Sequence, residues 1–482
     1  MLNYLQNPIL TYLLNDAAGM AKFGEISTIY AMIPFANVLF TYGMETAFFR
    51  FSNTVKDKDK STLYQTVFGS LLYSTLILGI LFWLCRVPIA SFLKVPNHPE
   101  YISWAILIVA LDALTAIPFA RLRQEGKPRK YAFVKVSGIA INLIAVVFLV
   151  GISPRIVAAH PHGLYAHWYR HYSPTGFVLL ANILQNLFVL LMLVQEWKIF
   201  RFRFDAALWR TIMAYSAPFV IIGLGGMVNE VLDRNMLLHL FHPENPELAK
   251  RTVAVYSSNY KLAIVITLFI RAFKMAAEPF FFSQSADKNA PATYAKVMKW
   301  FVITLCLAFL STVLFLDIWK KMEGSSYWVG LGVVPILLFA NIALGIYYNL
   351  AVWYKITAQL RYGIAITLVG AVITLVLNYL FIPSFGMYAS AWATLICYTT
   401  MMVLCYYYGQ KHFPVPYNVK KLLSLLGVII VLFLIHWGIS AMTTHAIIRI
   451  GSGVVLMSAF LALIFKVERK ELRAFPIIGK HL

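Results

Sequence analysis

Gly43-Met44-Glu45-Thr46-Ala47-Phe48-Phe49-Arg50-Phe51 closes an early apolar segment, and Lys274-Met275-Ala276-Ala277-Glu278-Pro279-Phe280-Phe281-Phe282 closes a later one. Met44, Phe49 and Phe51 recur as Met275, Phe280 and Phe282, 231 positions on, and Lys130-Tyr131 recurs at the same offset as Arg361-Tyr362. Two landmarks in one register point to two homologous helical bundles in a single chain, a plan common among secondary transporters.

Composition supports that reading. The chain has 482 residues, 60% hydrophobic and 13% charged, with a mean hydropathy of +0.72, too apolar to bury in one soluble core. Apolar runs of about 20 residues, the length that spans hydrocarbon as a helix, recur throughout. They predict helices near 25–51, 61–85, 101–122, 130–150, 174–195, 209–240, 252–282, 293–317, 326–354, 362–383, 386–408, 421–440 and 446–465. The expected fold is an all-α polytopic membrane protein. Its domains are an N-terminal six-helix lobe (1–205), a second six-helix lobe (206–410), and two extra helices with a basic tail (411–482). A transmembrane β-barrel would show shorter, alternating segments.

Residues 2–14 form an incomplete first span. Under the repeat, Met1 falls opposite Leu232, inside the helix beginning near Trp209, so the first helix is expected to be truncated by roughly 20 residues, a full span. No small-residue cleavage site follows, so the segment is not read as a signal peptide.

Loop charge sets the orientation. With a cytoplasmic N-terminus, Lys56, Lys58 and Lys60, the run from Arg121 to Lys130, Lys198, Arg201 and Arg203, Lys288, Lys296 and Lys299, and Lys466 to Lys480 share the cytoplasmic side. That is the positive-inside bias, with both termini cytoplasmic. The net charge of +21 is then topology signal and attraction to anionic lipid. Its spread over short loops forms no face for nucleic acid.

No phosphate-binding Gly-x-x-x-x-Gly-Lys-Ser/Thr motif occurs, and no cofactor is expected. Cys85, Cys306, Cys397 and Cys405 lack metal or redox spacing. The longest extracytoplasmic stretch, Gly151 to Pro174, carries His160, His162, His167 and His171 without an acid or cysteine, which reads as a solvated loop and no metal site. It also lacks the paired carboxylates that a membrane glycan polymerase or glycosyltransferase would need, so no enzyme is expected.

Ionisable residues at membrane depth mark function, because burying charge there requires a partner or a cavity. Glu45 and Arg50 fall on the second span and Asp112 in the fourth helix. Glu230, Asp233 and Arg234 share one face of the seventh helix, where Glu230 can pair with Arg234. Lys261, Arg271, Lys274 and Glu278 follow in the eighth. Two readings stand: a salt-bridge network fixing helix register, or a water-filled cavity whose excess of cations (Arg50, Arg234, Lys261, Arg271, Lys274) attracts a phosphate headgroup. The acids Glu45, Asp112, Glu230, Asp233 and Glu278 would form the gating network. Asn378 could join Asp233 in a small-cation site or hydrogen-bond between helices.

Tyr42 to Phe51, Asn229-Glu230-x-x-Asp233-Arg234, Ala276 to Phe282, Tyr347 to Lys355 and Asn378 to Gly386 together resemble the polysaccharide-biosynthesis or oligosaccharide flippases. These are the Wzx-type branch of the multidrug/oligosaccharidyl-lipid/polysaccharide (MOP) exporter superfamily. The resemblance implies two six-helix lobes plus two C-terminal helices. It also implies alternating access that moves a polyprenyl-pyrophosphate oligosaccharide across a bacterial cytoplasmic membrane for lipopolysaccharide O-antigen, capsule or exopolysaccharide. Implied partners are that lipid-linked sugar, the bilayer, and glycan polymerase or assembly proteins. A lipid II flippase shares the fold and nearly the same headgroup. A drug/cation antiporter of the superfamily would show an acidic cavity.

Overall fold

The computed structural model describes residues 6–472 except 53–59, 199, 202, 285, 286, 288, 358 and 444. Among the described residues there is no strand. The chain runs through α1 (Gln6–Leu13), α2 (Ala17–Thr41), α3 (Met44–Ser52), α4 (Lys60–Leu84), α5 (Arg86–Phe92), α6 (Pro99–Gln124), α7 (Pro128–Val146), α8 (Ser153–Ala159), α9 (Leu164–Arg170), α10 (Pro174–Met192), α11 (Val194–Trp197) and α12 (Ala206–Leu240). It continues with α13 (Pro246–Leu262), α14 (Ile264–Gln284), α15 (Ala290–Val313), α16 (Leu316–Trp319), α17 (Val333–Leu350), α18 (Val352–Ile356), α19 (Leu360–Phe385), α20 (Met387–His412), α21 (Val419–Met442), α22 (Ala446–Val467) and α23 (Arg469–Leu472). Twelve described helices are long and apolar enough to cross a membrane, thirteen if α13 and α14 form one broken span. This is a multi-pass membrane protein.

Two compact units emerge. One comprises 1–258, 326–329 and 363–397; the other comprises 259–325, 330–362 and 398–482. In the first, α2 packs on α12 and α6, and α10 on α6 and α7. In the second, α15 packs on α17, α14 and α21, and α21 on α22.

Several helix ends depart from the apolar runs, each for a local reason. Asp16 caps α2, its carboxylate accepting from the Gly19 N–H at 3.2 Å, so the helix starts eight residues before the expected position. It ends at Thr41 because Tyr42 (φ 31°) and Gly43 (φ 74°) turn left-handed. The expected span 25–51 is therefore α2 plus the separate short helix α3. At Gly43 a Cβ would stand 2.9 Å from Phe219 Cβ and 3.1 Å from the Ser216 carbonyl oxygen on α12. Conformation and close approach both require glycine there.

The expected helix 130–150 continues as a π-helical turn, Val147–Ile152, into α8. Pro154 cannot donate to the ladder, and the Ser153 hydroxyl donates to the Phe148 carbonyl at 2.9 Å. The His-rich stretch is largely helical, and its four histidines are exposed. Tyr169 stacks on Phe177 at 4.3 Å and donates to the Leu149 carbonyl, which pins α9 to α10.

The expected span 252–282 breaks at Ala263, whose carbonyl is satisfied by the buried Asn341 amide at 3.1 Å. The expected span 326–354 begins only at Val333. Its first residues form a short 3₁₀ segment in which Tyr327, fully buried, donates to the Leu14 carbonyl at 2.8 Å.

Replacing Gly43 with Ala should destabilise the protein by about 1–2 kcal/mol from the left-handed conformation alone, before the Phe219 contact is counted. Thermal unfolding in detergent should show a lower Tm, whereas Gly427→Ala, at a site open in the structure, should not.

Candidate functional site: charged groups among the membrane helices

A buried charge cluster in the first unit was not anticipated from sequence. Glu25, 4% exposed, lies on α2, and Lys250, 7% exposed, on α13; Lys250 Nζ reaches Glu25 Oε1 at 2.9 Å. Lys22 Nζ reaches the same oxygen at 3.1 Å, and the Thr175 hydroxyl at the start of α10 donates to Glu25 Oε2 at 3.0 Å. The helices meet closely because position 24 is glycine: a Cβ there would sit 2.0 Å from the Lys250 carbonyl oxygen. One carboxylate thus ties three helices together. The signals were present in the chain. Asp16 is an N-cap residue and Pro246 occupies the first turn of α13, and reading both as helix starts would have put Glu25 and Lys250 inside helices.

Asp233, 3% exposed, accepts from the Tyr256 hydroxyl at 2.6 Å and from Arg234 Nη1 at 3.2 Å. The same guanidinium nitrogen donates to the Glu230 backbone carbonyl at 3.1 Å. Asp233 is held between α12 and α13, with Arg234 beside it at the 12% exposure of a partly open side chain.

A polar ladder runs from α12 to α19 and α20. The Asn229 amide donates to the Thr367 carbonyl at 3.3 Å, and the Thr374 hydroxyl to Asn229 Oδ1 at 3.3 Å. The Asn378 amide donates to the Thr374 carbonyl, and Ser390 to Asn378 Oδ1 at 2.9 Å. Asn378 is thus an interhelical hydrogen-bonding residue. Of the pair expected as a small-cation site, Asp233 is bonded to Tyr256 and Arg234, and Asn378 to Thr374 and Ser390.

Glu45 lies on α3, past the left-handed break, 43% exposed and ion-paired with Arg123 at the end of α6. The placement of Glu45 deep in a continuous second span is corrected by that break. Arg50 is exposed on the same short helix, its guanidinium 4.2 Å from the Tyr215 ring centroid. Asp112 stands beside Asn186 and Lys135, and Lys135 lies over the Phe119 ring at 4.2 Å. Lys135, on α7, is a further cation inside a span that the sequence reading passed over.

In the second unit, Lys261 is half-buried near the end of α13. Arg271 is exposed on α14, and Lys274 is half-buried with its ammonium 4.4 Å from the Tyr348 ring centroid on α17. The Glu278 side chain lies outside the described residues.

These features define a multi-pass helical membrane protein with charge held among its helices. The family profile described as polysaccharide biosynthesis protein matches residues 1–285. The chain belongs to the polysaccharide biosynthesis protein family. No curated protein matches it by sequence. Among solved structures, a lipid II flippase MurJ in an inward closed conformation is 13% identical over 96% of this chain and 97% of that one, with a TM-score of 0.70. A variant of the Vibrio cholerae MATE transporter VcmN is 12% identical over 85% and 91%, with a TM-score of 0.53. An outward-facing multidrug resistance MATE family transporter of the MOP superfamily is 13% identical over 88% and 92%, also at 0.53. The fold is that of these proteins.

Breaking a buried ion pair by removing one partner costs about 3–5 kcal/mol, because the other charge is stranded. Glu25→Gln and Lys250→Met should each lower the Tm clearly, and the double variant should recover much of the loss. A double-mutant cycle by thermal unfolding checks this; additive losses would mean the pair is not coupled.

Proposed function

We propose that this protein is a flippase that carries a polyprenyl-pyrophosphate-linked oligosaccharide repeat unit from the inner to the outer leaflet of a bacterial cytoplasmic membrane. The product would serve assembly of lipopolysaccharide O-antigen, capsule or exopolysaccharide. The reading is supported by the family membership and rests on one observation: Arg271 is exposed on the largely apolar helix α14, one turn from Lys274. A guanidinium facing hydrocarbon is strongly disfavoured, so an exposed one here implies a water-lined space. Cations in such a space suit phosphate oxygens and repel organic cations.

In this proposal Arg50, Arg234, Lys261, Arg271 and Lys274 are the headgroup ligands. Asp112, Glu230, Asp233, Glu45 and Glu278 set the charge balance that gates access. With a cytoplasmic N-terminus, α2, α10 and α13 all begin at the outer face. The Glu25, Lys22, Lys250 and Thr175 cluster would then close that face, and outward opening would require its separation. A lipid tail can remain in the bilayer while only the sugar-pyrophosphate head crosses, so no hydrolysis of the substrate is needed.

A second reading, lipid II transport, is favoured by the extent of the likeness to the lipid II flippase structure. It uses the same cations, since that head is also a sugar pyrophosphate.

The test is headgroup accessibility in sealed proteoliposomes. Polyprenyl-pyrophosphate oligosaccharide should become accessible on the far side with the native protein. Arg271→Gln together with Lys274→Gln should slow it by about tenfold or more, the loss expected for a charge-assisted phosphate contact, while Arg271→Lys keeps part of the rate. Unchanged rates in the folded double variant would remove these residues from the headgroup site. Movement of lipid II alone would select the second reading.

A further inference from the structure

The helices α4 and α6 of the first unit leave between them a groove of about 440 Å³. It runs along α4 from Leu72 to Trp83 and along α6 from Ser103 to Leu114. At the helical rise of about 1.5 Å per residue, each wall is about 16 Å long, close to half of the roughly 30 Å of hydrocarbon in a bilayer. The groove is therefore one leaflet deep. Its walls carry two hydroxyls, Thr75 and Ser103, and no charged group. Leu76 and Ile80 on the α4 wall are exposed, and a Cβ on Gly79 would meet nothing within 4 Å, so no described segment of the chain fills it there.

One end of the groove carries chemistry that the walls lack. Trp83, the last lining residue on α4, is exposed, and the Arg86 guanidinium lies over its ring, 4.1 Å from the centroid. Arg86 is not itself part of the lining. It stands one turn beyond, at the start of α5, with Nη1 donating to the Trp83 carbonyl at 3.0 Å. No carboxylate among the described residues lies within ion-pair distance of it. The first acid that follows in the chain, Glu100 on α6, is hydrogen-bonded to His98 at 2.8 Å, and residues 60–99 contain no acid. The guanidinium thus keeps N–H groups for an outside acceptor, and its planar fork suits phosphate oxygens.

A slot one leaflet deep with a cation at its end matches one ligand class, an acyl chain tethered to a phosphate. With a cytoplasmic N-terminus, Lys60 begins α4 on the inner side, so Trp83 and Arg86 stand at the outer headgroup boundary, where indole rings are favoured. The charge favours a phospholipid over the translocated polyprenyl lipid, because one guanidinium balances a phosphodiester monoanion but not a pyrophosphate. It also favours a headgroup without an ammonium, since Lys94 follows in the same connection and residues 60–99 offer no acid to receive one.

We propose that the groove between α4 and α6 is a binding site for one anionic phospholipid of the outer leaflet, with an acyl chain along Gly79 and the phosphodiester on Arg86. The site uses none of the cations assigned above to the translocated headgroup, and it stands whichever lipid-linked sugar is carried.

The test uses the full chain in nanodiscs of phosphatidylcholine with a rising fraction of phosphatidylglycerol whose acyl chain carries a photoactivatable diazirine. Adducts mapped by peptide mass spectrometry should concentrate on residues 72–83 and 103–114 and saturate at one lipid per chain. Gly79→Leu places a side chain in the groove and is the better helix former, so it should fold normally and lose most of these adducts. Arg86→Gln should raise the phosphatidylglycerol fraction needed for half-saturation by about tenfold, the loss of one charge-assisted hydrogen bond, and Arg86→Lys should recover part of it. Thermal unfolding of each variant confirms that it folds. Labelling unchanged in Gly79→Leu and Arg86→Gln would mean passing bilayer lipid beside an ordinary interfacial Trp–Arg anchor, and would overturn the site. Displacement of the label by polyprenyl phosphate, but not by unlabelled phosphatidylglycerol, would assign the groove to the translocated lipid's tail and overturn the phospholipid assignment.

Discussion

Charge buried among membrane helices must be matched, and the pairing of Glu25 with Lys250 is the case on which the first unit depends. The carboxylate is too deeply buried to be satisfied by water, and it draws in Lys22, Lys250 and Thr175 from three separate helices. Such a pair is no large source of net stability, since desolvation offsets the attraction. Its effect is positional: with Gly24 allowing backbone contact, α2 and α13 can meet in only one register.

The same rule operates elsewhere with different partners. Asp233 is matched by a phenol and a guanidinium, Asn378 by a hydroxyl and a carbonyl, and the Ala263 carbonyl at the broken span by Asn341. Lys274 and Arg50 lie over aromatic rings, whose faces attract a cation.

The sequence reading placed the glycine break at 43 inside a span because the apolar run continues through it. Hydropathy counts residues and does not register a left-handed φ. The span broken at Ala263 and the early residues of the 326–354 run were missed in the same way. Glu25 and Lys250 were passed over because each helix was begun at its first strongly apolar stretch, after the true cap. Lys135 fell inside a run apolar enough to hide it.

Membrane class and the family were legible in the sequence alone, the class because spanning hydrocarbon imposes length and apolarity on each segment independently. Gly43 marks a local landmark, since it is held at φ 74° against α12. Which charges meet was decided only by tertiary structure. Glu25 and Lys250 are 225 residues apart, as are many pairs that never touch, and no local signal ranks one pairing above another. Partner choice depends on helix rotation and close approach, which are collective properties of packing.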